Sequence, residues 1–454
     1  MMEGTLSKAA ESMHGELHGV DVSFRGVSTD TRTIASGELF VALSGPNFDG
    51  TKFVSAAAAR DAVAAVVDHN VQSDLPSIKV DDTRKALGEL ALAWRQQMPT
   101  TIVGITGSNG KTTLKEMTAS CLSQAAKTLA TEGNLNNHIG VPLTLLRLSK
   151  DDQFGVIEMG ANHAGEIAYL ASLAQPHVVA ITNAGPAHLE GFGSIKGVAH
   201  AKGELLQVEP RPRVAVLNAD DDYFELWQSF AADIDILSFG LGEQAAVRGM
   251  NIEASESGSQ FDLQTPAGTR QVEIGLAGLH NVRNACAAAA ISLAAGVSLD
   301  NVVAGLAIAA PVSGRLHPLA GLNGSTIYDD SYNANPASVA AGAEFLAALP
   351  GDSILVLADM GELGDDAAEL HRGVGDAVRE AGVDRFMATG ELCRHAAEAY
   401  GEGASWFADV DSLIDSLRGE LGAATSVLVK GSRSMHMGRV VRAIEAAHDE
   451  AKAG

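Results

Sequence analysis

The run Gly107-Ser108-Asn109-Gly110-Lys111-Thr112-Thr113 brings glycine, one lysine and hydroxyl side chains together in a stretch that could cradle phosphate. Glycines let backbone N–H groups approach phosphate oxygens, and a helix starting at the turn adds its positive end. Lys111 would reach the terminal phosphates of ATP, and the Thr112 hydroxyl would sit on a magnesium ion. The loop is shortened. The usual spacing wants a glycine five residues before Gly110, where Ile105 stands, and the first loop glycine is Gly107. A chance glycine turn is the competing reading. The flanks favour a phosphate loop, because the apolar run Thr101–Thr106 leads in and a helical pattern follows.

Other polar residues stand where such a loop could use them. Glu158 ends the apolar run Phe154–Glu158, and His188 follows the run Val178–Thr182. In parallel α/β sheets ligands bind beyond the carboxyl ends of strands. A carboxylate and an imidazole there suit magnesium or water-mediated contact, although each alone reads as an ordinary loop residue, and Lys202 alone as a surface lysine. Asn134, Asn136 and Asn137 offer amide donors and acceptors suited to a peptide-like substrate, or a polar loop before a helix at Pro142.

The elements that must position these groups fall into three segments. Residues 1–98 read as short strands and turns (Glu38–Leu43), a helix near Val54–Ala65 and a strand at Ala64–Asp68. Residues 99–311 alternate apolar strands (also Val214–Asn218) with helices, then a small β excursion at Gly240–Thr269 and a long helix at His280–Ala295. Strands apolar on both faces indicate a parallel sheet covered by helices. Pro311–Pro318 is a second linker, and residues 312–454 repeat the pattern with strands at Ser325–Tyr328, Ser353–Ala358, Arg385–Thr389 and Ser426–Lys430. The expected class is α/β in three domains: a small one, a central phosphate-loop domain and a C-terminal Rossmann-like one.

Bulk properties narrow the function. A chain of 454 residues exceeds one ordinary core. The net charge of -24 argues against nucleic acid as a partner, while local cations can still hold a small anion. Cys121, Cys286 and Cys393 are scattered, so neither a disulfide framework nor a zinc site is expected. Met1–Gly15 lacks a basic stretch followed by an apolar one, and the Ala-rich runs are broken by charge. The expectation is a cytoplasmic protein with no signal peptide and no membrane insertion.

These pieces, in this order, resemble the Mur ligase superfamily, the ATP-dependent ligases that add amino acids to the peptidoglycan precursor. The resemblance implies that Glu158 and His188 bind two magnesium ions and that Lys202 is carbamylated, supplying a carboxylate to the metal. Glu132–Leu146 and Tyr328-Asp-Asp-Ser-Tyr-Asn-Ala-Asn-Pro336 resemble the branch that joins D-alanyl-D-alanine to UDP-N-acetylmuramoyl-tripeptide. Gly278–Asn284, Ser313–Leu316 and Leu428–Arg433 are further matches. By resemblance Asn281 and Arg315 contact the nucleotide, and Asp330 holds the ribose or orients the third domain. Helix capping would also explain Asn281 and Asn284. Val27–Arg32 and Phe40–Gly50 resemble the segment that holds UDP. There Arg32 would pair with the diphosphate and Ser28 and Asp30 would bond the uridine. Thr51 stands where the pattern often has histidine.

The implied cofactors are ATP and Mg2+, and the enzyme is expected to be a monomer. The competing readings are a sister Mur ligase or folylpolyglutamate synthase, and, from another class, a phosphate-loop regulator or kinase that forms no amide.

Overall fold

The computed structural model describes residues 1–45 and 48–446, which form three helix-flanked sheets along the chain. The first has five short strands, in the order Glu16–His18, Ser77–Lys79, Ala64–Val67, Leu39–Val41 and Val27–Ser28. All its neighbours pair parallel except the Glu16–His18 edge. The helix expected over Val54–Ala65 stops at Ala58. Asp61, at φ 61°, turns the chain so that Ala64–Val67 can enter the sheet fully buried. Residues 1–15 carry elements the sequence reading did not assign, strand Glu3–Thr5 and helix Leu6–Ser12.

The second sheet has nine strands. Its parallel part runs Thr128–Ala130, Phe154–Glu158, Thr101–Thr106, Val178–Ile181, Val214–Asn218, Asp235–Gly240. The expected β excursion is three strands, Val247–Ala254, Ser259–Thr265 and Gly268–Ile274, that extend this sheet and pair antiparallel with one another. Their alternating burial contrasts with Phe154–Glu158 and Val178–Ile181, where every residue is buried. Helices Lys111–Ser123, Leu279–Ala294 and Leu299–Ala307 share one core with one sheet face. Leu279–Ala294 can lie that close because its inward face is alanine, from Ala285 through Ala290.

On the opposite face a helix from the first segment joins the packing. Asp82 caps Thr83–Arg95 by accepting from the Arg84 and Lys85 N–H groups, at 2.8 and 3.0 Å. Its apolar stripe, Ala86, Leu87, Leu90 and Ala91, lies in the same core as Val141, Leu145, Ile167 and Leu170 of the central segment. Each fully buried leucine contributes roughly 1.5–3 kcal/mol, so this helix fastens the first sheet to the second.

The third sheet has six strands, ordered His317–Ala320, Thr326–Asp330, Thr425–Lys430, Asp352–Ala358, Arg385–Thr389, Ala404–Phe407. It is parallel apart from the His317–Ala320 edge, and separate cores cover its two faces. Among the described residues no helix is long and apolar enough to cross a membrane.

Candidate active site

The carboxyl ends of Thr101–Thr106, Phe154–Glu158 and Val178–Ile181 open on a cavity of about 960 Å³ between the second and third sheets. The phosphate turn lies on its floor. Gly107 has φ 146°, and a Cβ there would run into Thr182 Oγ1. Gly110 has φ 81°, and a Cβ would stand 2.8 Å from Asn284 Oδ1. Both positions therefore exclude a side chain. The turn is held at its backbone: Thr182 Oγ1 donates to the Asn109 carbonyl at 2.6 Å, and Asn183 Oδ1 accepts from the Asn109 N–H at 2.9 Å. Helix Lys111–Ser123 starts at once after Gly110, so its first N–H groups face the cavity that Ser108 to Thr113 line. The Lys111 ammonium donates to the Gly107 carbonyl at 2.7 Å. Burial pulls its pKa down to about 8, and the Arg315 charge adds to this while Glu158 opposes it.

Glu158 is 2% exposed. Its Oε1 accepts from Asn136 Nδ2 at 2.7 Å, whereas Oε2 is buried with no hydrogen-bond partner among the described residues. A buried ionised oxygen without a partner is costly, and a cation would satisfy it. Asn136 is in turn fixed through its carbonyl, which accepts from the Gly160 N–H at 2.8 Å. Asn137 Oδ1 holds the turn that leads into the following helix, accepting from the Ile139 and Gly140 N–H groups at 3.1 and 2.9 Å. Asn134, Asn136 and Asn137 all line the cavity.

His188, at φ 56°, faces Glu362 of the third segment, and Nδ1 forms an ion pair with that carboxylate when the ring is protonated. Burial lowers the His188 pKa; Glu362 opposes this, and Lys111 and Lys202 reinforce it. Sequence reasoning missed Glu362, which no local pattern marks. The loop carrying it is anchored from inside: His371, fully buried, accepts from the Met360 N–H at 3.0 Å while its other nitrogen lies 2.7 Å from the Ala367 carbonyl.

Lys202, read alone as a surface lysine, is 1% exposed, its ammonium 5.3 Å from the Phe192 ring centre. Burial brings its pKa down to about 7, and the Lys111 charge acts the same way against Glu204 and Glu166. It stands behind the cavity wall rather than in it, near enough to Lys111 for their charges to interact.

The residues expected on the nucleotide side are distant in sequence and meet at the cavity. Asn281 is buried, donating to the Ala277 carbonyl at 2.8 Å and accepting from Asn284 at 3.2 Å. Neither contact is a helix cap, since Gly278 is the N-cap and no side chain accepts from the first turn, so the capping explanation does not hold here; both asparagines line the cavity. Arg315 stacks 3.9 Å from the Tyr332 ring centre. Asp330 pairs with the buried Lys430 and accepts from the Leu316 N–H at 3.2 Å. Asn335, the N-cap of helix Pro336–Ala347, donates to Asn109 Oδ1 at 2.7 Å and so links the third segment to the phosphate turn.

Ser28, Asp30 and Arg32 are not brought to this cavity. Arg32 grips Asp30 through two nitrogens, at 2.6 and 3.0 Å, which holds the Asp30 pKa down to about 2. Ser28 Oγ accepts from the Asp30 N–H at 3.2 Å. Thr51 is buried, and its hydroxyl lies 3.2 Å from His69 Nε2, so an imidazole does stand beside position 51, contributed by another strand end. In the run Phe40–Gly50, Pro46 and Asn47 lie outside the described residues, as do residues 447–454 of the third segment.

Comparisons with known proteins fit this geometry. The Mur ligase family catalytic domain matches residues 23–95, the Mur ligase middle domain 105–292 and the Mur ligase glutamate ligase domain 314–433. The chain is 44% identical to the UDP-N-acetylmuramoyl-tripeptide--D-alanyl-D-alanine ligase of Escherichia coli (strain K12), over 98% of this chain and 99% of that one. A crystal structure of MurF from Acinetobacter baumannii superposes with a TM-score of 0.92 at 36% identity, covering 97% of this chain and 98% of that chain. MurF ligase from Thermotoga maritima in complex with ADP gives 0.81 at 26% identity, covering 92% and 96%. A folylpolyglutamate synthase from Mycobacterium tuberculosis, 18% identical with a TM-score of 0.65, shares the fold alone.

Proposed function

The chain belongs to the Mur ligase family, and from that premise we infer that it is the ATP-dependent ligase joining D-alanyl-D-alanine to UDP-N-acetylmuramoyl-tripeptide in peptidoglycan precursor synthesis. The observation that carries the chemistry is Glu158: a buried carboxylate with one unpartnered oxygen, beside Lys111 and the phosphate turn. A regulator that only binds nucleotide would have no use for the asparagine row at 134–137 aimed into the same cavity.

The tripeptide carboxylate attacks the γ-phosphorus of ATP, ADP leaves, and an acyl phosphate forms. The dipeptide amine then attacks the acyl carbon, phosphate departs, and the amine gives up a proton as the amide forms. Lys111, turned from the Gly107 carbonyl toward the phosphates, offsets the charge that develops there. The backbone N–H groups of residues 108–113 and Ser108, Asn109, Thr112 and Thr113 hold the phosphates, with Asn281, Arg315 and Asp330 on the nucleoside side. Ser28, Asp30 and Arg32 take the UDP moiety, and Asn134, Asn136 and Asn137 the peptide.

Glu158, His188, Thr112 and a carbamate on Lys202 would hold magnesium, whose positive charge stabilises the transferring phosphoryl group when bound. Enclosure of Lys202 against Phe192, with no carboxylate among the described residues in ion-pair contact and with burial outweighing Glu204 and Glu166, favours the neutral amine that reacts with carbon dioxide. Glu362 orients the His188 ring from across the cavity, in the way outer carboxylates orient metal-binding histidines. We divide the chain at 98/99 and 311/312, and place the enzyme in the cytoplasm as a monomer, where its ATP is made and its three free thiols stay reduced.

Phosphate release from ATP with UDP-N-acetylmuramoyl-tripeptide, measured with and without D-alanyl-D-alanine, tests the activity. Turnover independent of the dipeptide would sink the assignment. For the carbamate, Lys202→Ala should lower kcat about a thousandfold or more and recover partly with short carboxylates. Full activity of that variant would remove the idea.

A further inference from the structure

Five Lys and Arg side chains line the cavity: Lys111, Arg283, Arg315, Lys430 and Arg433. Four have evident work. Lys111 serves the phosphates, Arg283 pairs with Asp220 at 3.3 Å, Lys430 pairs with Asp330, and Arg315, stacked on Tyr332, is assigned to the nucleotide above. Arg433 differs. Among the described residues it has no carboxylate within ion-pairing distance, as is also true of Arg315 and Lys111, but it alone of the five has no role in the reading above and reaches the Asn134 amide. Its guanidinium lies 5.6 Å from the Tyr332 ring centre, on a ring that also stacks with Arg315 at 3.9 Å, and its Nη1 stands 3.4 Å from the Tyr332 hydroxyl. With the Asn134 amide oxygen turned toward it, as hydrogen bonding requires, Arg433 donates to that oxygen at 2.5 and 3.1 Å.

Asn134 lies two residues before Asn136, which holds Glu158, so Arg433 is tied to the wall where the acyl phosphate would form. The substrate that arrives last is a zwitterion. Its amine must reach the acyl carbon, and two residues span at most about 7 Å, so its carboxylate comes to rest on the same wall. A carboxylate resting there is best met by a cation, and a planar guanidinium can meet it with two parallel hydrogen bonds.

We propose that Arg433, braced by Tyr332 and Asn134, receives the terminal carboxylate of the incoming dipeptide and so selects a free acid over its amide or ester. This inference rests on the ligase reading above. Because Arg433 is an exposed residue of the third sheet's loop while Asn134 belongs to the central segment, the dipeptide carboxylate would bridge the two walls and favour their docked arrangement.

The test compares D-alanyl-D-alanine with its C-terminal amide in the full-length wild type, Arg433→Gln and Arg433→Lys, reading kcat/KM for each acceptor and KM for ATP and UDP-tripeptide. Wild type should prefer the acid. In Arg433→Gln, kcat/KM for the acid should fall roughly 10- to 100-fold, mostly through KM, with the amide little changed, so that the acid-to-amide ratio collapses. Arg433→Lys should keep part of the ratio. A merely structural role would lower both acceptors together, and an unchanged ratio overturns the inference while leaving the ligase reading intact. A rise confined to KM for UDP-tripeptide or ATP also overturns it. Wild-type turnover that ignores the dipeptide overturns both.

Discussion

The phosphate turn and the Val27–Arg32 turn both present groups suited to phosphate, yet they are prepared in opposite ways. At the phosphate turn, Thr182 and Asn183 hold the Asn109 backbone, and residues Ser108 to Thr113 line the cavity. At Val27–Arg32, the candidate groups satisfy one another: Arg32 is bound to Asp30, and Asp30 to Ser28. A ligand arriving at the first site finds donors already aimed at it. At the second it must exchange an existing ion pair for a new one, in water, where such pairs are worth about 0.2–1 kcal/mol. The first arrangement suits a group on which chemistry is done. The second suits a handle whose binding energy can be modest.

The contrast can be broken most sharply at Gly107. In Gly107→Ala the added Cβ meets Thr182 at a φ that alanine resists. We expect kcat/KM for ATP to fall about a thousandfold or more, with UDP-substrate affinity unchanged by calorimetry. Normal nucleotide binding would mean that the turn is not preorganised in the way described. Removing the handle should cost less: Arg32→Ala is expected to raise KM for UDP-tripeptide about tenfold and leave saturated kcat alone. A fall in kcat instead would place Arg32 in the chemistry. Thr182→Val keeps the side-chain shape but takes away the donor to the Asn109 carbonyl. A loss of about 1 kcal/mol, or some fivefold in ATP affinity, should follow, and steady-state KM against ATP would detect it. The smallest effect is expected at Asn335→Ser, which keeps a helix N-cap but loses the reach to Asn109. ADP affinity should weaken about two- to threefold with no change in melting temperature. A drop in melting temperature alone would assign Asn335 to helix capping.

The same contrast explains what could be read from the sequence. Lys111 and its turn are legible because strand, glycines and helix are contiguous, and the chemistry follows from local geometry. The strands around them were legible to within a residue or two, since Phe154–Glu158 and Val214–Asn218 are apolar up to the polar residue that ends each at the carboxyl side. Helix Val54–Ala58 was overrun because alanines continue the helical pattern past the point where Asp61 turns the chain. Glu362, Asn335 and Arg433 were not legible as site residues. Each meets its partner across more than 150 residues of chain, and such pairing leaves no trace in local spacing. Lys202 misled for the opposite reason: a lysine in a short helix reads as solvated, and only the packing of Phe192 and its neighbours removes it from water.

Helix Thr83–Arg95 has a practical consequence for anyone shortening this chain. A fragment starting at Pro99 would keep every strand of the central sheet, yet it would bare Val141, Leu145, Ile167 and Leu170 to solvent. Contiguous apolar surface of that kind drives self-association, so the fragment should precipitate on expression. Cutting near Pro311 instead severs a linker and a polar seam. Among the described residues the first and central segments thus travel as a single piece, and the C-terminal portion is the detachable one.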